Sequence, residues 1–185
     1  MIFALVGNPN CGKTALFNRL TASRCKVGNF PGVTVEKKVG KLVCDKQISI
    51  VDLPGVYSLS PYTEEEKATV AFLLCEKCDC VINVIDGTDI KRGLCFSLRL
   101  SFLKIPTVIA LNMSDEVAKN GGGNDTKLLS EIMKMPVVSV SAVKKTGLEN
   151  LVAAAKKQAA ERKTEIPEVF FSEMKKHFEN AENLL

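Results

Sequence analysis

Gly7-Asn8-Pro9-Asn10-Cys11-Gly12-Lys13-Thr14 sets two glycines, a lysine and a threonine at the spacing G-x-x-x-x-G-K-[ST]. Glycines let successive backbone N–H groups converge on phosphate oxygens, and a helix opening at the lysine adds the positive end of its dipole. In that arrangement Lys13 reaches β- and γ-phosphates, the Thr14 hydroxyl binds Mg²⁺, and the segment through Ala15 lines the phosphates. The flanks agree: residues 2–6 read as a buried strand and residues 13–21 as a helix. Downstream, Asp52-Leu53-Pro54-Gly55 closes a second apolar strand. A carboxylate there can hold Mg²⁺ through a water, while the Gly55 N–H can sense a γ-phosphate. Alone, D-x-x-G is a common turn; behind a phosphate loop it reads as a switch element.

Two further loops could read a base. Asn112-Met113-Ser114-Asp115 follows an apolar run over residues 107–111. A carboxylate can accept from guanine N1–H and its 2-amino group, a donor pair adenine lacks, so Asp115 would set specificity and Asn112 would brace the loop. Met113 stands where a lysine is usual, so stacking over the base is weaker or supplied differently. Taken alone, the same residues also fit a helix N-cap ahead of Glu116. Ser141-Ala142-Val143-Lys144 follows the last strand-like run and would offer backbone N–H groups to guanine O6.

These loops need a rigid frame, and the rest of the chain supplies one. Strand-like runs at 2–6, 35–43, 47–51, 80–85, 107–111 and 137–140 alternate with helical patterns at 13–21, 64–76, 92–104, 126–135 and 148–162. That alternation predicts an α/β domain over 1–164: a mostly parallel six-stranded sheet with helices on both faces. Residues 35–43 and 47–51 read as a hairpin, and residues 120–125, with three glycines, as a surface loop. Over 165–185, Phe170, Met174, His177, Phe178, Ala181 and Leu184 recur every three to four residues, which predicts an amphipathic helical tail.

At 185 residues with 46% hydrophobic and 25% charged side chains, the composition excludes disordered and collagenous chains. No apolar run approaches the roughly 18 residues that cross a bilayer, and Met1 runs straight into the first strand without a basic leader. The net charge of +4 is spread along the chain, so no nucleic-acid partner is expected. Seven cysteines, an odd number in apolar segments, read as reduced thiols.

The four motifs come in the order and spacing of a Ras-like P-loop GTPase. Within that superfamily, Val27-Gly28-Asn29-Phe30-Pro31-Gly32-Val33-Thr34-Val35-Glu36 and Asp52-Leu53-Pro54-Gly55-Val56-Tyr57-Ser58-Leu59-Ser60-Pro61-Tyr62 are more informative than the phosphate loop. Together they resemble the N-terminal GTPase domain of the bacterial ferrous iron transport proteins FeoB, over about residues 1–160. The resemblance implies GTP and GDP as ligands, and Thr34 with Gly32 and Val33 as the switch I segment that closes on Mg²⁺ and the γ-phosphate. It also implies a helical regulatory domain after the GTPase domain, which the 165–185 tail could begin, then a fused membrane permease as partner, at the cytoplasmic face of the inner membrane, and leaves a homo-oligomer open. Cys11 and the glycines 121–123 depart from the family's habits at tolerant positions.

Several residues carry a blander reading. Val56 stands where Ras-like enzymes orient water with a glutamine; valine cannot, so it reads as packing. Without that glutamine or an arginine finger, charge building between the phosphates needs another cation. Asn10 could hold K⁺ there, a role the resemblance also implies; the alternative is that it merely braces the loop. Cys75, Cys78 and Cys80 invite a metal reading but lack a second ligand pair, and His177 has no histidine partner. Two other function classes fit less well: an RNA-associated Era- or EngA-like GTPase, which usually carries Asp-Thr-Pro-Gly, and a nucleotide-binding module that scarcely hydrolyses.

Overall fold

A computed structural model describes residues 1–60 and 62–167; the predicted tail helix lies outside the described residues. The strands are β1 (Ile2–Gly7), β2 (Cys25–Asn29), β3 (Glu36–Lys41), β4 (Ser49–Asp52), β5 (Cys80–Asp86), β6 (Thr107–Asn112) and β7 (Val137–Ser139). The helices are α1 (Lys13–Thr21), α2 (Glu64–Cys75), α3 (Ile90–Ser101), α4 (Ser114–Lys119), α5 (Thr126–Met133) and α6 (Leu148–Glu161).

The strands form one sheet in the order β2-β3-β4-β1-β5-β6-β7. Pairs among β4, β1, β5, β6 and β7 are parallel, whereas β2–β3 and β3–β4 are antiparallel. The sheet therefore has seven strands rather than the six expected. The addition is β2, whose only large aliphatic residue, Val27, is exposed; five registered pairs with β3, not a hydrophobic pattern, make it a strand. The short α4 was also not expected from periodicity.

β1 explains why a parallel sheet forms at all. Phe3 and Leu5 face a core shared with Leu16, Phe17 and Leu20 of α1 and Leu151 and Ala155 of α6. Ala4 and Val6 face the opposite core, with Phe72 of α2 and Phe96 and Leu100 of α3. A strand buried on both faces must be apolar throughout, and helices must cover both sides. β1 lies between β4 and β5, where successive connections depart to opposite sides. The crevice beyond the carboxyl ends of the strands at such a point is where doubly wound folds bind ligands.

Candidate functional site

The four predicted loops all leave the carboxyl edge of this sheet: after Gly7 of β1, Asp52 of β4, Asn112 of β6, and just beyond β7. The fold thus assembles segments more than a hundred residues apart.

The phosphate loop is shaped by backbone geometry. Asn10 and Gly12 have φ of 67° and 79°, and a Cβ at position 12 would collide with the Asn112 side-chain amide. Glycine is required there on both counts. α1 then opens on Gly12 with no side-chain cap and no acidic residue in its first turn. By contrast α2 is capped by Thr63 and Glu66, and α5 by Asp125. The first N–H groups of α1 accordingly remain available to an anion. The side chains of Asn10 and Thr14 make no hydrogen bond among the described residues and are exposed. Buried Cys11 packs beneath the loop; burial pushes its thiol pKa up, so it stays neutral.

Lys13 and Asp52 form an ion pair at the centre of the site, with side chains only 10% and 8% exposed. Phosphates would draw the ammonium away and Mg²⁺ would draw the carboxylate, and the unbonded Thr14 hydroxyl supplies the second oxygen suited to that ion. Beyond Asp52, the Val56 N–H donates to the Gly7 carbonyl at 3.2 Å, and Val56 itself is buried as packing. A Cβ on Gly55 would sit 3.3 Å from Pro9 backbone atoms, so the two loops touch.

Asn112, buried, ties three segments together. Its Nδ2 donates to the Cys11 carbonyl at 3.0 Å, and its Oδ1 accepts from the Ala142 N–H at 3.1 Å. Asp115, in the first turn of α4, accepts from the Ser141 hydroxyl at 2.6 Å. That bond holds the Asp115 carboxyl below its ordinary pKa, with smaller help from Lys119 and Lys144. An ionised carboxylate is the acceptor that guanine's two donors require. The loop from Ser141 to Thr146 is closed by a reciprocal backbone pair at 3.1 and 3.2 Å, and Met113 enters α4 with φ 62°.

Switch I is placed apart from these groups. Gly32, Val33 and Thr34 lie in the turn between β2 and β3, closed by the Phe30 N–H on the Val35 carbonyl at 2.9 Å. No hydrogen bond joins Thr34 to Lys13, Thr14 or Asp52. The turn is instead anchored on α2: the Phe30 ring meets Phe72 edge-on at 6.1 Å, and the Lys37 ammonium lies 5.4 and 5.1 Å from the two ring centroids.

Sequence reasoning missed other parts. For Asn8, which the motif already placed in the phosphate loop, the sequence did not show that its Oδ1 is buried with no partner among the described residues. Arg99 donates to Ser58 Oγ at 3.0 Å, and Arg92 lies 5.6 Å from the Tyr57 ring centroid, so α3 holds the segment after Gly55. Arg19 of α1 donates to the Ala142 carbonyl at 2.9 Å. Nothing in the sequence pattern marks these arginines. Two of these three cysteines bond to backbone instead: the Cys80 thiol donates to the Val81 carbonyl at 3.5 Å, and the Cys78 thiol to the Cys80 carbonyl at 3.1 Å, its pKa pushed up to about 11 by burial. No three potential ligands converge on a metal position among the described residues.

The profile of ferrous iron transport protein B matches residues 1–155. The chain belongs to that family, as its N-terminal G domain. The Fe(2+) transporter FeoB of Campylobacter jejuni is 45% identical over 150 residues, which are 80% of this chain and 24% of that protein. The Fe(2+) transporter FeoB of Salmonella typhimurium is 39% identical over 171 residues, 90% of this chain and 22% of that protein. The chain therefore spans about a quarter or less of these relatives. Among solved structures, a GDP-bound mutant of S. thermophilus NFeoB superposes with a TM-score of 0.87 at 41% identity, over 90% of this chain and 65% of that one. The cytosolic domain of T. maritima FeoB in a GDP form gives 0.82 at 38% identity, over 86% and 63%. S. thermophilus NFeoB bound to GDP.AlF4- and K+ gives 0.80 at 42% identity, over 90% and 65%. The fold is the Ras-like P-loop GTPase fold, and the family match does not favour an RNA-associated Era- or EngA-like assignment.

Proposed function

We propose that this FeoB G domain binds guanine nucleotides with Mg²⁺, hydrolyses GTP with K⁺ stimulation, and through that cycle regulates ferrous iron uptake by a membrane permease segment of the same polypeptide. The cytoplasmic face of the bacterial inner membrane is where such a domain would act. The observation that carries the reading is the convergence of an uncapped α1, the Lys13–Asp52 pair and the Asn112–Asp115–Ser141 network on one sheet edge. Each member has a task. The residue 7–15 loop cradles the phosphates, and Lys13 neutralises the β- and γ-oxygens. Thr14 and Asp52 would hold Mg²⁺, Asp52 through water; bound there, the ion neutralises charge on the phosphate oxygens. Asp115 accepts from the base, Asn112 with Met113 shapes its loop, and Ser141, Ala142 and Val143 frame its far edge. Gly55 and the Gly32-Val33-Thr34 turn respond to the γ-phosphate.

Asn10 is the residue we assign to K⁺. Asn10 is an exposed residue of the phosphate loop whose side chain carries an amide oxygen, and oxygen donors suit a hard monovalent cation. Single-turnover hydrolysis in K⁺ against Na⁺ tests the assignment: K⁺ should be faster severalfold or more with GTP affinity unchanged, and Asn10→Ala should erase the difference. Equal affinity for ATP and GTP would overturn the whole reading. Growth on limiting ferrous iron, with the full-length gene carrying Asp115→Asn, tests the link to uptake.

A further inference from the structure

We infer that Arg19 is a positioning residue for recognition of the base's 6-oxo group, acting through the peptide unit between Ala142 and Val143. The inference rests on the guanine-nucleotide reading above. Arg19 sits in the last turn of α1, where a basic side chain ordinarily just complements the helix dipole. Its Nε instead donates to the Ala142 carbonyl oxygen at 2.9 Å.

That oxygen belongs to the same planar unit as the Val143 N–H. No cis peptide occurs among the described residues, and in a trans peptide the C=O and N–H point in opposite directions. A donor fixed on the oxygen therefore aims the N–H away from α1. Three neighbouring donors of the loop are committed. The Ser141 N–H goes to the Thr146 carbonyl at 3.1 Å, Ala142 N–H to Asn112 Oδ1 at 3.1 Å, and Lys144 N–H to Ser141 Oγ at 3.0 Å. The Val143 N–H has no partner among the described residues, and Val143 is 69% exposed. Of the two N–H groups of this loop without a partner among the described residues, Val143 and Lys145, it is the one whose peptide Arg19 holds, and so the donor aimed for a carbonyl oxygen on the ligand. The cationic guanidinium on the other end polarises the peptide and strengthens that donor.

The geometry also closes a ring. α1 begins at the phosphate loop and ends near Arg19; Arg19 holds Ala142; Ala142 holds Asn112; and Asn112 returns to the Cys11 carbonyl at 3.0 Å. One helix thus carries the phosphate contacts at its start and orients a base contact from its end.

The test compares GDP with 6-thio-GDP, which keeps N1–H and the 2-amino group but replaces the 6-oxygen with sulfur, a poorer acceptor. Affinities of both are measured by calorimetry on the full chain, for the native protein, Arg19→Met and Arg19→Lys. Arg19→Met should weaken GDP about tenfold and 6-thio-GDP less, so that the native preference for oxygen shrinks. Arg19→Lys, which keeps a cationic donor, should recover most of it. Equal losses for both nucleotides would make Arg19 a mere prop for the loop and overturn the inference, as would no loss at all. A native chain that binds neither nucleotide would overturn the guanine reading itself, and this inference with it.

Discussion

The Lys13–Asp52 pair lends itself to a quantitative test, because it is the most buried ion pair described and joins the start of α1 to the end of β4. Replacing either partner alone leaves the other charge buried and uncompensated, which typically costs about 3–5 kcal/mol. Each side chain retains about a tenth of its exposure, so some water reaches it and about 3 kcal/mol is the expected loss for Lys13→Met or Asp52→Asn. In a chain of this size each kcal/mol moves the midpoint by about 2–4 °C, so Tm should fall by about 6–12 °C. The double variant buries no charge at all. It should lie within about 1 kcal/mol of the native protein, because apolar or neutral replacements of buried pairs are often neutral. Thermal unfolding of nucleotide-stripped protein in chelator, run as a double-mutant cycle, reads the coupling directly. Adding Mg²⁺ and GDP should raise the native Tm far more than that of any variant. A double variant as unstable as the two single losses added together would refute the argument, since the residues would then act independently.

Asp115→Asn should weaken GDP about 100-fold or more and turn preference toward xanthine nucleotides, measured by competition between GDP and XDP. Ser141→Ala removes the donor that holds the Asp115 carboxyl down. Base recognition needs the ionised form, so affinity is lost as pH falls through the depressed value; in the variant that loss should begin at higher pH, and an unmoved acid limb in a GDP titration would contradict the link. Phe30→Ala deletes the ring that seats switch I on α2 and should cost about 3 kcal/mol, read as a drop in Tm. The same variant should be cut faster by trypsin at Lys37 and Lys38.

The frame was legible because it rests on patterns of burial. β1, β5 and β6 are almost wholly buried, apolar runs, interrupted in β5 only by Asn83 before its closing Asp86, and α1 ends within a residue of where its pattern ends. The loops were legible for a different reason: glycine at a left-handed φ and small polar residues after strands are local requirements that spacing reveals. What stayed hidden depends on partners distant in sequence. β2 is a strand only because β3 lies beside it. Arg19 looks like any exposed helix residue until α6's preceding loop arrives 123 positions later. The same limit applies to Asn8, whose buried, unpartnered oxygen is visible only once the loop is folded.

Thr34 shows why residue roles do not follow from motif order alone. The sequence treats Thr34 and Gly55 as two separate responders to the γ-phosphate. In the structure their segments share one packed layer: Phe30 and Val33 from the switch I turn meet Leu53, Val56 and Phe72. Val56 in turn is tied to Gly7 through its N–H, and α2 is fixed at its start by the Thr63–Glu66 box. Thr34 can approach Thr14 only if Phe30 leaves Phe72 or if α2 travels with the turn. The first path exposes two aromatic rings and breaks both Lys37 contacts; the second keeps them and drags the segment after Gly55. Burial of apolar area favours the second, since each exposed aromatic ring costs roughly 2 kcal/mol. If the two segments respond to the γ-phosphate as proposed, movement of one would reach the other through the Phe30–Phe72 contact, with no need for a bond between Thr34 and Gly55.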